Sequence, residues 1–95
     1  MKGYIVCVYE NINDDITLKE YAAKASVAVQ KYNGKFLIRG GKNTTTEGRN
    51  FVRTTVIEFS SFNIAKDFFY SKDYQDAHKL IKRTVIRNHQ IIEGT

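Results

Sequence analysis

The sequence contains no proline and no tryptophan, one cysteine and two histidines. A single cysteine excludes a disulfide within the chain, and a reactive thiol would need a cationic, partly exposed setting. Cys7 lies inside the first apolar run, so we interpret it as a small buried hydrophobic residue. Two histidines, His78 and His89, are too few and too far from other ligand types to indicate a zinc site. We therefore expect neither a metal nor a cofactor.

The sequence also lacks any apolar run near the roughly 20 residues that a membrane-spanning helix needs. Its first segment, MKGYIVCVYEN, alternates apolar residues with tyrosines and has no long apolar stretch or small-residue cleavage site. This pattern is typical of a β-strand rather than a signal peptide. We expect a soluble, cytoplasmic protein that does not contact membranes.

Charge is not concentrated in any block of the sequence. The formal net charge is +5, but the basic residues are spread along all 95 residues. Such a spread is typical of a solvated surface rather than of a nucleic-acid interface, so we expect no nucleic-acid partner. The length indicates one domain over residues 1–95. A domain this small buries a modest fraction of its surface, which favours oligomerisation.

Hydrophobic spacing predicts four strands and two helical regions in the order β-α-β-β-α-β. The predicted strands are Gly3–Glu10, Lys35–Arg39, Asn50–Phe59 and 85–94; the predicted helices are 16–32, capped by Asp14 or Asp15, and 60–83, interrupted at 70–74. This order predicts a ferredoxin-like α+β fold, a four-stranded antiparallel sheet with both helices on one face. Apolar side chains on the other face predict that a second subunit covers it, giving a homodimer.

Several segments carry a resemblance to a known family: KGYIVCVYE, YNGKFLIRGG, EG at 47–48, VIEFSSFNIAKDFFYSKDYQ and the terminal IIEG. In this order and spacing the chain resembles the uncharacterised domain-of-unknown-function family thirteen-thirty, of the dimeric α+β barrel superfamily. The resemblance implies a ferredoxin-like protomer and a homodimer with facing sheets, but no reaction. The family usually has an aromatic residue and a proline or arginine after Glu47-Gly48, whereas this chain reads EGRNFVR, without tryptophan or proline. It also has Ile81 where the family usually carries an arginine.

Polar and aromatic residues at the ends of several elements form a candidate binding site. They are Arg39, Glu58 and Tyr4 on strands, and Tyr70, Tyr74 and His78 in the second helical region. If they converge, Arg39 can pair with a ligand anion while the tyrosines supply faces and hydroxyls. His78 or Glu58 can then act as acid or base. In the alternative interpretation, Arg39 and Glu58 form a cross-strand ion pair, the tyrosines edge the core and His78 is solvated.

Two further kinds of site are disfavoured by the sequence. An RNA-recognition domain shares the element order, but the third strand, GRNFVRTTVIEF, lacks the glycine and stacking rings of that motif. A heme site needs an axial ligand projecting into an apolar cavity, and neither histidine lies in an apolar stripe. Two functions remain: a dimer that binds a small aromatic or carboxylated molecule, or a small enzyme of the isomerase or cofactor-free monooxygenase type.

Overall fold

The computed structural model describes all residues, Met1–Thr95. Its elements are β1 (Gly3–Ile12), α1 (Asp15–Lys31), β2 (Lys35–Arg39), β3 (Arg53–Phe59), α2 (Phe62–Tyr70), α3 (Lys72–His78) and β4 (Val85–Glu93). The four strands form one sheet in the order β2-β3-β1-β4, with every neighbouring pair antiparallel. This is the ferredoxin-like arrangement that the hydrophobic pattern predicts. None of the helices combines the length and apolar character required to cross a bilayer.

Local sequence signals set the ends of the helices. The Asp14 carboxylate caps α1 by accepting the backbone N–H groups of Ile16 and Thr17 at 3.0 and 3.1 Å, which satisfies two of the donors left free at a helix start. The second helical region divides at Ser71, whose hydroxyl accepts the N–H of Tyr74 at 3.1 Å. Ser71 therefore starts a new helix, and the predicted interruption is confirmed.

The connection between β2 and β3, residues 40–52, is irregular. β2 has the predicted bounds, but β3 begins at Arg53 rather than at Asn50. Three glycines of this connection, Gly40, Gly41 and Gly48, have positive φ, which other residues adopt only with strain. The chain can therefore leave the sheet sharply after Arg39.

The two faces of the sheet differ in burial. Along β1, Ile5, Cys7 and Tyr9 are buried under the helices, while the alternating Tyr4 and Val6 remain partly exposed on the other face. The core lies between the sheet and the helices, and its largest fully buried side chains include Tyr74, Phe59 and Phe68. The helices thus cover one face of the sheet and leave the other open.

Candidate functional site

The candidate site is built from two rows of cross-strand neighbours on the helix-covered face. In the first row, Tyr9 of β1 is in register with Arg53 of β3 and Arg87 of β4. The adjacent row runs through β2, β3, β1 and β4 as Arg39, Thr55, Cys7 and His89. Directly opposed residues on antiparallel strands project from the same face. Polar groups from all four strands are therefore gathered at one end of the sheet.

These rows line a cavity of about 40 Å³ between the sheet and α1 and α3. Tyr21 and Tyr74 contribute from the helices, and three arginines contribute from the strands, namely Arg39, Arg53 and Arg87. No aspartate or glutamate is among the lining residues. The cavity is therefore cationic, with aromatic and aliphatic walls.

Arg87 is the centre of a hydrogen-bond network inside this cavity. Its Nη2 donates to the hydroxyl of Tyr74 at 2.8 Å, and its Nη1 lies 3.3 Å from the hydroxyls of both Tyr9 and Tyr21. The Tyr21 and Tyr74 hydroxyls are themselves 2.8 Å apart. Three elements, β1, α1 and α3, thus contribute acceptors to one guanidinium group.

The positive charge of Arg87 has no carboxylate partner. The five ion pairs of the protein involve other residues at the surface. Burial acts to lower the pKa of Arg87 and the hydrogen bond to Tyr74 acts to raise it, and an arginine side chain is not deprotonated in proteins. The guanidinium therefore stays protonated in a partly buried position, where an uncompensated charge is costly.

Burial favours the neutral forms of the Tyr9 and Tyr74 hydroxyls and of the Cys7 thiol beside Arg87. Burial raises the pKa of Tyr9 and of Tyr74 above the usual value. Cys7 is buried, as expected, and burial raises the pKa of its thiol even though Arg87 Nη1 lies 3.5 Å from the sulfur. Since the thiolate is the reactive form, Cys7 has the character of a buried structural thiol.

Both histidines lie beside this network. Burial, with a smaller effect of Arg87, lowers the pKa of His89 to about 3 and also lowers that of His78. His78 is half-buried, stacks on Tyr74 with ring centroids 5.9 Å apart, and its Nδ1 has no hydrogen-bond partner. The alternative interpretation of His78 as a solvated side chain is therefore wrong. At neutral pH both imidazoles are uncharged.

His78 lines a separate outer cleft rather than the cavity itself. This cleft of about 370 Å³ is lined by Phe69, His78, Ile81, Lys82, Val85, Arg87 and His89. Arg87 and His89 are shared by the cleft and the cavity. The expectation that His78 would join Arg39 in one pocket is therefore not met.

Two of the predicted binding residues, Arg39 and Tyr74, line the cavity. Tyr70 is 70% exposed and outside it. Tyr4 and Glu58 lie on the open face of the sheet, because they alternate with Ile5 and Phe59, whose side chains are buried under the helices. The predicted convergence of these residues is therefore wrong.

The predicted ion pair between Arg39 and Glu58 is also wrong. The register places Glu58 opposite Lys35 and Tyr4, and its carboxylate bonds to Lys2 Nζ at 2.9 Å and to the Tyr4 hydroxyl at 3.2 Å. The hydrogen bond from Lys2 lowers the pKa of Glu58. Arg39 instead donates to the Ser26 hydroxyl at 2.6 Å.

The sequence reasoning missed Arg87 and set His89 aside. A signal for both was present in β4, where Val85, Arg87, His89 and Ile91 alternate along one face of a strand. Val85 and Ile91 pack against the core. Because alternate residues of a strand share a face, Arg87 and His89 must face the core as well. A charged residue that alternates with core residues in this way faces the protein interior and is therefore a candidate site residue.

Comparison with known proteins identifies the fold and the family, but no reaction. The sequence model of the family described as "Domain of unknown function (DUF1330)" matches residues 2–95. Among curated proteins there is no significant match.

Solved structures share the fold at low sequence identity. A protein of unknown function from Rhodopseudomonas palustris is 10% identical with a TM-score of 0.79, covering 99% of this chain and 82% of that one. A dimeric ferredoxin-like protein of unknown function from Jannaschia sp. CCS1 is 10% identical with a TM-score of 0.79, covering 99% and 100%. A cofactor-independent oxygenase from Streptomyces nogalater is 5% identical with a TM-score of 0.66, covering 98% and 92%. The predicted ferredoxin-like fold is confirmed.

Proposed function

Since this chain belongs to the DUF1330 family, which is defined as a domain of unknown function, we propose its function from the cavity: it binds a small carboxylated molecule whose anion pairs with Arg87. One observation carries the proposal. Arg87 is a protonated, partly buried guanidinium that bonds to three hydroxyls and a thiol and takes part in no ion pair. A bound carboxylate would supply the missing negative charge.

The hydroxyl groups around Arg87 add to the attraction for an anion. Each tyrosine oxygen that accepts from Arg87 keeps its own O–H as a donor. One of these protons is used between Tyr21 and Tyr74, so two remain for a ligand. A carboxylate in the cavity therefore meets a planar, charged donor and two neutral donors, the combination that gives short, strong hydrogen bonds.

The size of the cavity limits which part of a ligand it can enclose. A cavity of about 40 Å³ has room for a few water molecules or a carboxylate group, but not for an aromatic ring. The partly exposed residues Leu18, Ala22 and Phe36 also line it and define its mouth. The rest of the ligand, including any ring, then lies at this mouth against apolar side chains.

The test is calorimetric titration with acetate and benzoate at constant ionic strength. The wild type and an Arg83→Met variant, which loses an exposed arginine outside the cavity, should bind equally. Arg87→Met should lose at least about tenfold in affinity, because a hydrogen bond to a charged group contributes about 1.5–3 kcal/mol. Equal binding by Arg87→Met and the wild type would refute the proposed site.

The alternative function, a small enzyme of the isomerase or cofactor-free monooxygenase type, has weaker support. The oxygenase from Streptomyces nogalater shares 5% sequence identity, a likeness that bears on the fold alone. His78, the acid–base candidate, lines the outer cleft, and Glu58 lies on the opposite face of the sheet. Binding rather than catalysis is therefore the function proposed.

We also propose that two chains pair through their open sheet faces to form a homodimer. Ile38, Val56 and Val6 lie in one row across this face, and Ile38 and Ile92 are 46% and 41% exposed. A similar structure, from Jannaschia sp. CCS1, is described as dimeric. A second copy would bury this apolar row, which a monomer leaves in water.

The dimer is tested by light scattering coupled to size exclusion. The wild type should have the mass of two chains, and Val56→Lys should have the mass of one while keeping its circular dichroism spectrum. A monomeric wild type at micromolar concentration would exclude this pairing.

A further inference from the structure

We propose that the ligand of the cavity is a dianion: one carboxylate pairs with Arg87, and a second anionic group pairs with Arg53 at the mouth. The inference rests on the proposed function of Arg87 and extends it to the class of ligand. It starts from the charge of the cavity, which has three arginines and no acidic residue in its lining. A single carboxylate would leave most of that positive charge without a partner.

Arg53 is placed to receive the second charge. It lines the cavity and is partly exposed. The hydrogen bonds donated by arginine side chains come from Arg39, Arg49 and Arg87, so the guanidinium of Arg53 donates to no protein acceptor. It also takes part in no ion pair. All five of its N–H donors are therefore free for a ligand.

The glycine at position 40 makes room for this guanidinium. A Cβ built on Gly40 would lie 2.5 Å from Nη1 of Arg53, closer than two such atoms can approach. Gly40 has φ of +73° and donates its N–H to Thr54 at 2.9 Å. This hydrogen bond holds the backbone of Gly40 beside Arg53. Because glycine has no side chain, the Arg53 guanidinium can occupy the adjacent space.

Arg39 contributes a further positive charge on the same side of the cavity. Its Nη2 donates to the Ser26 hydroxyl at 2.6 Å, and its guanidinium carbon lies 4.1 Å from the centroid of the Phe36 ring. These contacts hold the side chain against α1 while leaving most of its N–H groups unused. Arg39 therefore adds to the positive electrostatic potential at the mouth of the cavity. Its side chain lies against α1 and does not occupy the position of the Arg53 side chain.

The register of the sheet sets the distance that the ligand must span. Arg53 and Arg87 flank Tyr9 on adjacent strands, so their backbones are about 10 Å apart, two strand spacings. Both side chains project over the same face and line the cavity, and the guanidinium of Arg53 lies on the side of Gly40, at the end of β2. The two anionic groups of the ligand are thus joined by a short chain.

The test compares butyrate with a series of dicarboxylates, malonate, succinate, glutarate and adipate, by titration calorimetry at constant ionic strength. At least one dicarboxylate should bind the wild type about tenfold more tightly than butyrate, the effect of one added charged hydrogen bond. Arg53→Gln should remove this advantage, because it should lower the affinity for the dicarboxylate about tenfold more than the affinity for butyrate. Arg53→Lys should keep part of the advantage, and Arg83→Gln, an exposed control with the same loss of charge, should behave as the wild type.

Three outcomes would overturn the inference. If dicarboxylates and butyrate bind equally, and both depend on Arg87, the Arg87 site stands but the second charge does not. If the dicarboxylate advantage persists in Arg53→Gln, another group holds the second anion. If no carboxylate binds the wild type, both the dianion and the Arg87 site are excluded.

Discussion

Replacing Arg87 by methionine separates a binding role from a structural role. If Arg87 exists to hold the fold together, removing it must destabilise the protein. If it exists to receive an anion, the ligand-free protein carries an unneutralised, partly buried charge. Removing that charge should then increase the stability of the ligand-free protein. Methionine keeps the length and flexibility of the side chain but removes the charge and the donors.

The expected change is the difference between two opposing effects. The variant loses one short hydrogen bond, to Tyr74 at 2.8 Å, and weaker contacts at 3.3–3.5 Å to Tyr9, Tyr21 and Cys7. Against this loss, desolvating an ion costs several kcal/mol, and replacing buried ionic groups by apolar ones often stabilises by about 1–4 kcal/mol. We expect Arg87→Met to be about 1 kcal/mol more stable without ligand, a rise in Tm of about 4–8 °C for a domain of this size.

Thermal and urea denaturation of both proteins measure this difference, at equal chain concentration because a dimer's stability depends on it. A bound carboxylate should then reverse the order. At a ligand concentration of 100 times the wild-type Kd, the wild type gains about 2.7 kcal/mol, and Arg87→Met, with an affinity at least about tenfold weaker, gains at most about 1.4 kcal/mol.

A loss of more than about 1 kcal/mol in ligand-free Arg87→Met, the size of an ordinary hydrogen bond, would refute this reasoning. Arg87 would then be a structural cross-link between the sheet and the helices. Arg83→Met serves as the control, because it removes an equal charge from an exposed turn.

Three other changes test particular contacts. Tyr74→Phe removes the hydroxyl that bonds both Arg87 and Tyr21, and urea denaturation should show a loss of about 1–3 kcal/mol; unchanged stability would mean that the hydroxyl contributes nothing. Burial lowers the pKa of His89 from 6.5 to about 3, so between these pH values the unfolded chain binds a proton that the folded protein does not. Stability should therefore be complete above pH 6.5 and fall as the pH drops toward 3, by up to about 1.4 kcal/mol per pH unit. His89→Gln should flatten this dependence of stability on pH between pH 6.5 and 4.5. Equal slopes in the variant and the wild type would contradict the assignment of the slope to His89. Asp14→Ala removes the cap of α1 and should cost about 1 kcal/mol in the same denaturation assay; a Tm equal to that of the wild type would show that the cap is dispensable.

The elements of this fold could be predicted because their signals are local. The apolar residues 36–38, followed by Arg39 and two glycines, gave β2 its correct bounds, and the interruption predicted at 70–74 contains the break between α2 and α3. The start of β3 was placed too early, since apolar residues before Arg53 look like strand residues although they belong to the irregular connection. Local periodicity does not reveal whether an apolar residue has a pairing partner.

The candidate site was only partly predictable, because it depends on which strand face is covered. Arg39 and Tyr74, both predicted to contact a ligand, line one cavity, while Tyr4 and Glu58 were assigned to the same site although they lie across the sheet. A one-residue difference along a strand reverses the face. Arg87 was missed since charge suggested an exposed position, and the flanking apolar alternation was not used to decide.

The sequence by itself determined the order of the elements, the family and the absence of a disulfide within the chain, since these depend on residue types and their spacing. Only the tertiary structure decided that Arg87, Tyr9, Tyr21 and Tyr74 meet around one charge. These residues come from β4, β1, α1 and α3, and their contacts exist only when strand register and helix packing are both fixed. A guanidinium that is ordinary in the sequence thus becomes an unneutralised cation inside a cavity, because strand register and helix packing, rather than residue type, decide its surroundings.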